Sequence, residues 1–235
     1  MATSAVKPGT TRATGPAHSS VGLKLMMAVS GLYFVFFVLF HMYGNLKILV
    51  SHAAFDEYAH HLRTMFEPIL PYSGFLWLFR LTLIVALAAH AYSAFVLWGR
   101  SNHARSTRYA VKKASAATLS SKWMRWGGVT ILLFVIFHLA QFTFLWVNVG
   151  GSFVTPAERV VGAFQQWWLT LIYVVALFAL AMHIHHGVWS ASQTLGLTNT
   201  ARSRHTAKTT GLALSAIIVI GFLIPPLAIL FGAIK

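Results

Sequence analysis

Five long apolar blocks constrain this chain more than any other feature of its 235 residues; they cover roughly 22–50, 74–99, 124–149, 164–190 and 211–234. A hydrocarbon core of ~30 Å takes about 20 apolar residues per helical crossing, so each block is long enough to span a bilayer. Lipid gives the backbone no hydrogen-bond partner, which leaves helices or a closed barrel, and runs this long without apolar/polar alternation suit helices. The expectation is an all-α integral membrane bundle of five transmembrane helices over residues 21–235, preceded by a disordered tail over 1–20 that contains no acid. A mean hydropathy of +0.68 agrees. The eight tryptophans fix the spans independently: Trp77, Trp98, Trp123, Trp126, Trp146, Trp167, Trp168 and Trp189 all fall near block ends, as interfacial belts require. The last block lacks histidine and carries Pro225-Pro226, which should kink it.

Charge sets the expected orientation. Eighteen Lys and Arg face four acids, a formal net charge of +14. The basic residues Lys7, Arg12, Lys24, Arg100, Arg105, Arg108, Lys112, Lys113, Lys122, Arg125, Arg202, Arg204 and Lys208 fall on one side, while Asp56, Glu57, Glu67 and Glu158 fall on the other. By the positive-inside rule the N-terminus is cytoplasmic and the C-terminus, after an odd number of spans, is outside. Such charge orients the chain in its lipid and can dock an acidic soluble partner; it does not call for nucleic acid. The absence of cysteine excludes disulfides, thiolate zinc sites and protein-bound iron-sulfur clusters from this chain.

An ionisable ring at membrane depth is costly and reads as functional by default. Each of the first four blocks holds one: His41 in FVLFHMYGNL, His90 in LAAHAYSA, His138 in FVIFHLAQF and His183 in ALAMHIHHG. With a rise of 1.5 Å per residue, His90 lies ~15 Å from the cytoplasmic end of its span and His183 ~14 Å, whereas His41 lies ~27 Å and His138 ~22 Å. The rings therefore sort into an inner pair, His90 with His183, and an outer pair, His41 with His138. Two imidazoles from different helices suit a haem iron held on both faces, and small residues one turn away leave room for a macrocycle: Ala86 and Ala94, Ala179 and Gly187, and Gly44 after His41. With both axial positions filled, the task is electron transfer. His186 is three residues from His183 but a turn closer to the cytoplasm than His90, so His183 is the preferred ligand; His185 points the other way. Ser30, Lys24, Arg125 and His186 are candidate partners for inner haem propionates. In the loop after the first span, His52, Asp56 and His60 would share one helical face, a spacing that suits a metal and equally an interfacial amphipathic helix.

His41-Met42-Tyr43-Gly44-Asn45-Leu46, a histidine in each of the first four of five spans, and His183-Ile184-His185-His186-Gly187 running on to Gln193-Thr194-Leu195-Gly196 resemble the single-chain, five-helix dihaem cytochrome b anchor of succinate dehydrogenases and fumarate reductases. The resemblance covers almost the whole chain after residue 20. It implies two haem b groups, the proximal on His90 and His183 and the distal on His41 and His138. It further implies an iron-sulfur subunit and a flavoprotein subunit on the cytoplasmic face, a membrane quinone as electron acceptor, usually menaquinone, and a multi-pass place in a bacterial cytoplasmic membrane. The chain would then be a subunit of an enzyme, without the dehydrogenase centre itself. One departure is Ala181, where some fumarate reductases carry a proton-conducting glutamate. Polar candidates for a quinone site near the outer face are Tyr43, Asn45, Arg63, Glu67, Arg80 and Gln165. The oligomeric state of such a complex stays open. Two rivals stand beside this reading: a dihaem anchor for another respiratory dehydrogenase, and a histidine-lined transporter without haem.

Overall fold

A computed structural model describes residues 19–103 and 123–235 in full and the backbone of 116–122. The tail over 1–18, and Lys7, Arg12, Arg105, Arg108, Lys112, Lys113 and the Lys122 side chain, lie outside the described residues. The elements are α1 (Ser20–Leu46), a 3-10 turn (Lys47–Leu49), α2 (His52–Thr64), α3 (Gly74–His103), α4 (Ala116–Phe142), α5 (Pro156–Phe164), α6 (Trp167–Thr194) and α7 (Ala201–Leu230). Five of them, α1, α3, α4, α6 and α7, are long and apolar enough to cross a membrane. The described chain is an all-α bundle of membrane-span helices, as a polytopic membrane protein has.

Burial is reversed relative to a soluble bundle. Leu78, Leu81, Val85, Tyr92 and Phe95 form one exposed apolar stripe on α3, and Leu171, Val175 and Phe178 another on α6. These recur at helical spacing and present the surface that lipid tails would cover. The fully buried positions include small or compact residues where helices approach closely. Gly211 of α7 meets the His185 carbonyl of α6, which a β-carbon would approach to 2.8 Å. Gly221 of α7 receives the Met42 thioether of α1. α6 packs along α7, α4 and α1, while α1 also packs on α3 and α7. Neither α1 with α4 nor α3 with α6 forms an extended packed interface.

The acidic end is closed by the short helices. α5 begins with Thr155 accepting from the Glu158 N–H at 3.2 Å, and Glu158 accepts from the N–H groups of Val154 and Thr155 at 2.9 and 3.1 Å. That reciprocal cap, with Pro156 at the first turn, starts the helix firmly. Asp56 of α2 accepts from the Ala157 N–H at 2.8 Å, tying α2 to the start of α5. Gly150 has a φ of +91° and would set a β-carbon onto the Gly162 carbonyl, so only glycine serves there. Val160, Val161 and Phe164 then join Ile48, Leu169, Tyr173 and Ile229 in one core cluster.

Several sequence expectations on boundaries are corrected. The third span stops at Phe142 rather than 149, because the N–H groups of Phe144 and Trp146 fold back onto Leu139 and Ala140 at 2.8 Å and Leu145 turns to a φ of +58°. α5 is a separate helix before the fourth span, which starts at Trp167 rather than 164 and runs on to Thr194 rather than 190. The segment 201–210 is the first part of α7, started by a Thr200–Ser203 cap, and α7 continues through Pro225 and Pro226 to Leu230. Gly44 makes room for Tyr58, whose ring carbon a β-carbon would meet at 2.5 Å, not for a macrocycle.

Gly221→Val should lower the thermal stability of the detergent-solubilised protein by about 1–3 kcal/mol through overpacking against Met42, and adding Met42→Ala should recover part of the loss. The two backbone N–H groups hold the Glu158 carboxyl below the usual carboxylate range. Its contribution is therefore complete above the ordinary carboxylate pKa and fades as pH falls through the lowered value. Amide protection at the start of α5, measured by hydrogen exchange, should drop across that acid window in the native chain, and Glu158→Gln should abolish the titration.

Candidate functional site

The four intramembrane histidines meet in the two pairs that depth along the helices gives. The rings of His90 (α3) and His183 (α6) lie 6.1 Å apart, centre to centre, with an interplanar angle of 59°; those of His41 (α1) and His138 (α4) lie 5.8 Å apart at 81°. Each pair thus joins two helices that do not pack extensively against each other. Contacts with α1 and α4 fix the levels: Ser30 of α1 touches His90 and Gly128 of α4 approaches His183, so His41 and His138 stand about 15–17 Å further along their helices.

The inner pair rests on glycine. A β-carbon on Gly31 would come within 3.2 Å of the His90 ring, and one on Gly128 within 3.5 Å of the His183 ring. His90 Nδ1 lies 3.1 Å from the Met27 carbonyl and 3.1 Å from Ser30 Oγ, which in turn donates to the Met26 carbonyl at 2.7 Å. A carbonyl can only accept, so Nδ1 carries the proton and Nε2 keeps its lone pair. Fixing one ring nitrogen in this way selects the tautomer that can bind a metal through the other. His183 Nδ1 is buried and has no partner.

The outer pair sits among phenylalanines. Phe37 stacks on His41 at 5.3 Å, Phe222 lies 5.7 Å away, and Phe134 and Phe142 flank His138 at 5.8 and 5.5 Å. His138 Nδ1 is 3.1 Å from the Tyr173 hydroxyl, which donates to Gln141 Oε1 at 2.9 Å. Gln141 is 1 % exposed and its Nε2 has no partner. Sequence reasoning passed over Tyr173, Gln141, Gly31 and Gly128. A glutamine one turn from His138, inside an apolar run, was the available signal for the first two.

Whether these residues fit a haem can be tested on the geometry. Imidazole nitrogens about 2 Å from a shared iron put the ring centres roughly 6 Å apart, and two planes that share the bonding axis can take any angle about it. The observed separations of 6.1 and 5.8 Å are close to that spacing, and Gly31 and Gly128 stand beside the inner rings without a side chain. No group of three or more His, Cys, Asp or Glu side chains suited to a metal ion occurs among the described residues. α2 is helical, yet His52, Asp56 and His60 build no such group, and Asp56 is engaged with α5. A macrocycle supplies four ligands itself, so a bis-imidazole site needs only the pairs.

The remaining candidates are distributed differently. Lys24 is exposed, and Arg125 donates to Ser101 Oγ at 2.7 Å and lies over Trp98. His186 is half-buried, and His185 is exposed. At the acidic end, Tyr43 packs on Tyr58 under Lys47, Asn45 donates to the His41 carbonyl at 2.8 Å, and Arg63 donates to the Ala59 carbonyl. Arg80 lies over the Trp77 ring, 4.8 Å from its centre. Glu67 and Gln165 are exposed. A cavity of about 450 Å³, lined by Ser192, Thr200, Arg202, Ser203 and Thr206 among others, lies at the basic end between α6 and α7, away from both ring pairs.

Replacing Tyr173 by Phe leaves the buried Gln141 amide without any hydrogen bond and should cost about 1–3 kcal/mol in thermal unfolding. Gln141→Leu removes the unpartnered Nε2 along with the Oε1 that Tyr173 bonds; the two effects oppose each other and should leave the melting point nearly unchanged, which the same measurement checks. No protein-family model, no curated protein and no solved structure matches this chain.

Proposed function

We propose that the chain is the dihaem membrane anchor of a succinate:quinone oxidoreductase, carrying electrons from an iron-sulfur subunit at the basic end to a membrane quinone, menaquinone by the resemblance, at the acidic end. The observation that carries this reading is the pair of imidazole pairs, 6.1 and 5.8 Å between ring centres, each bridging helices that do not otherwise pack together. When bound, a haem supplies one-electron ferric/ferrous chemistry.

The chain's own residues do the rest. His90 with His183, and His41 with His138, are the residues that would each hold one haem, from two helices at a time. Hydrogen bonds from His90 to Met27 and Ser30 hold that ring in its binding tautomer. The phenylalanines around the outer pair give its rings apolar neighbours. Two centres at levels about 15–17 Å apart divide a ~30 Å hydrocarbon core into short steps. With the N-terminus cytoplasmic, outward electron movement is assisted by up to ~2.3 kcal/mol per 100 mV of membrane potential for a full crossing. Arg63, which donates to the Ala59 carbonyl, and Arg80, which lies over Trp77, are the quinone candidates to test first. A flavoprotein subunit would stand behind the iron-sulfur partner, and the basic face supplies the docking charge.

A histidine-lined transporter is the second reading; the lack of any three-ligand metal group among the described residues is the observation on its side. A reduced-minus-oxidised visible spectrum of the purified protein separates the two. Two b-type centres are expected, with His90→Ala or His183→Ala removing one and His41→Ala or His138→Ala the other. A colourless preparation overturns the haem reading. Arg63→Ala should abolish quinone reduction with haem content intact.

A further inference from the structure

We infer that Tyr173 and Gln141 are positioning residues for His138, acting as a two-step relay that fixes which nitrogen of that ring carries the proton. The inference rests on the haem reading above and deepens it. A phenol has one proton and can present either that proton or a lone pair to a neighbour. Gln141 Oε1, 2.9 Å away, takes the proton, so the oxygen turned to His138 Nδ1 at 3.1 Å is an acceptor. Nδ1 is then the protonated nitrogen and Nε2 holds the lone pair an iron needs. At His90 no such relay is required, because the Met27 carbonyl beside it can only accept. At the outer pair the ambivalent phenol requires a second residue to decide its direction.

Burial supports the same conclusion. Tyr173 is 8 % and Gln141 1 % exposed, so water cannot take over either bond. Gln141 leaves its own Nε2 unpaired, a burden that a leucine at this position would not carry. An amide is therefore a poor choice for packing here and a good one for orienting a hydroxyl. Donation from Tyr173 to Gln141 also makes the phenol oxygen a better acceptor. A stronger acceptor on Nδ1–H makes the ring a better donor to iron, which favours the ferric state and lowers the potential of that centre.

The test uses the full-length protein in detergent, labelled with 15N-histidine and reduced, alongside a redox titration of its visible spectrum. The His138 resonance is identified by its loss in His138→Gln. In the native chain it should report a protonated Nδ1. Tyr173→Phe should shift that resonance and raise one of the two midpoint potentials while leaving the other in place; Gln141→Leu should act in the same direction by less, at undiminished thermal stability. Unmoved His138 resonance and potentials in both variants overturn the relay, as does an equal movement of both centres. Should Tyr173→Phe not fold, Gln141→Leu decides by the same two readouts. Should the preparation be colourless, the haem reading falls and the nitrogen spectrum alone judges the relay. A protonated Nδ1 that is lost in Gln141→Leu supports it; a protonated Nε2 in the native chain overturns it.

Discussion

The architecture depends on imidazoles that reach between helices which do not pack on each other. In lipid there is little hydrophobic gain from bringing helices together, so close packing relies on small residues and on polar groups that find partners. α6 with α7 follows that rule through Gly211, and α1 with α7 through Gly221. The pairs α1–α4 and α3–α6 do not, and it is across these that His41 meets His138 and His90 meets His183. A bundle assembled for stability alone would close those gaps with apolar side chains. Histidine there, at four positions, accepts the cost of polar groups at membrane depth.

The two ring pairs are held by different means, and the difference follows from where each lies. Near the basic half, α1 runs close enough to α3 for Gly31 to lie against His90, and the Met27 carbonyl and Ser30 hydroxyl of the same helix reach the ring. Backbone supplies the partner because backbone is near. In the acidic half the helices are spaced by phenylalanines, and the partner of His138 must be a long side chain from α6, Tyr173, steadied from α4 by Gln141. The capped α5 supports this region from outside, since Phe164 packs edge-on to Tyr173 at 4.8 Å. A break in α5 would thus be felt at His138 through one aromatic contact.

Much of this was legible in the sequence because a helix in lipid has so few options. Apolar block length and the tryptophans located the crossings, and a constant rise per residue was enough to match His90 with His183 and His41 with His138. Ends were less legible where composition did not change: Phe142 and Val149 bound an equally apolar stretch, and only the return of the Trp146 N–H to Ala140 marks the stop. The start of α5 could have been found, since Thr155-Pro156-Ala157-Glu158 spells a capping box. Gly44 was assigned to the wrong neighbour because a small residue announces close approach without naming what approaches.

What depth cannot supply is azimuth. The rise per residue places Gln141 one turn from His138 and says nothing of Tyr173, thirty-two residues further on in another helix. Their meeting requires the rotation of α6 about its own axis, and nearly uniform apolarity around that helix leaves no amphipathic pattern from which to read it. The same limit applies to Ser30: depth and polarity single it out, but its bonds to the Met26 carbonyl and the His90 ring follow from how α1 is turned toward α3. In a membrane bundle the level of a polar group is written in the sequence, whereas its partner is decided by rotations that only packing fixes.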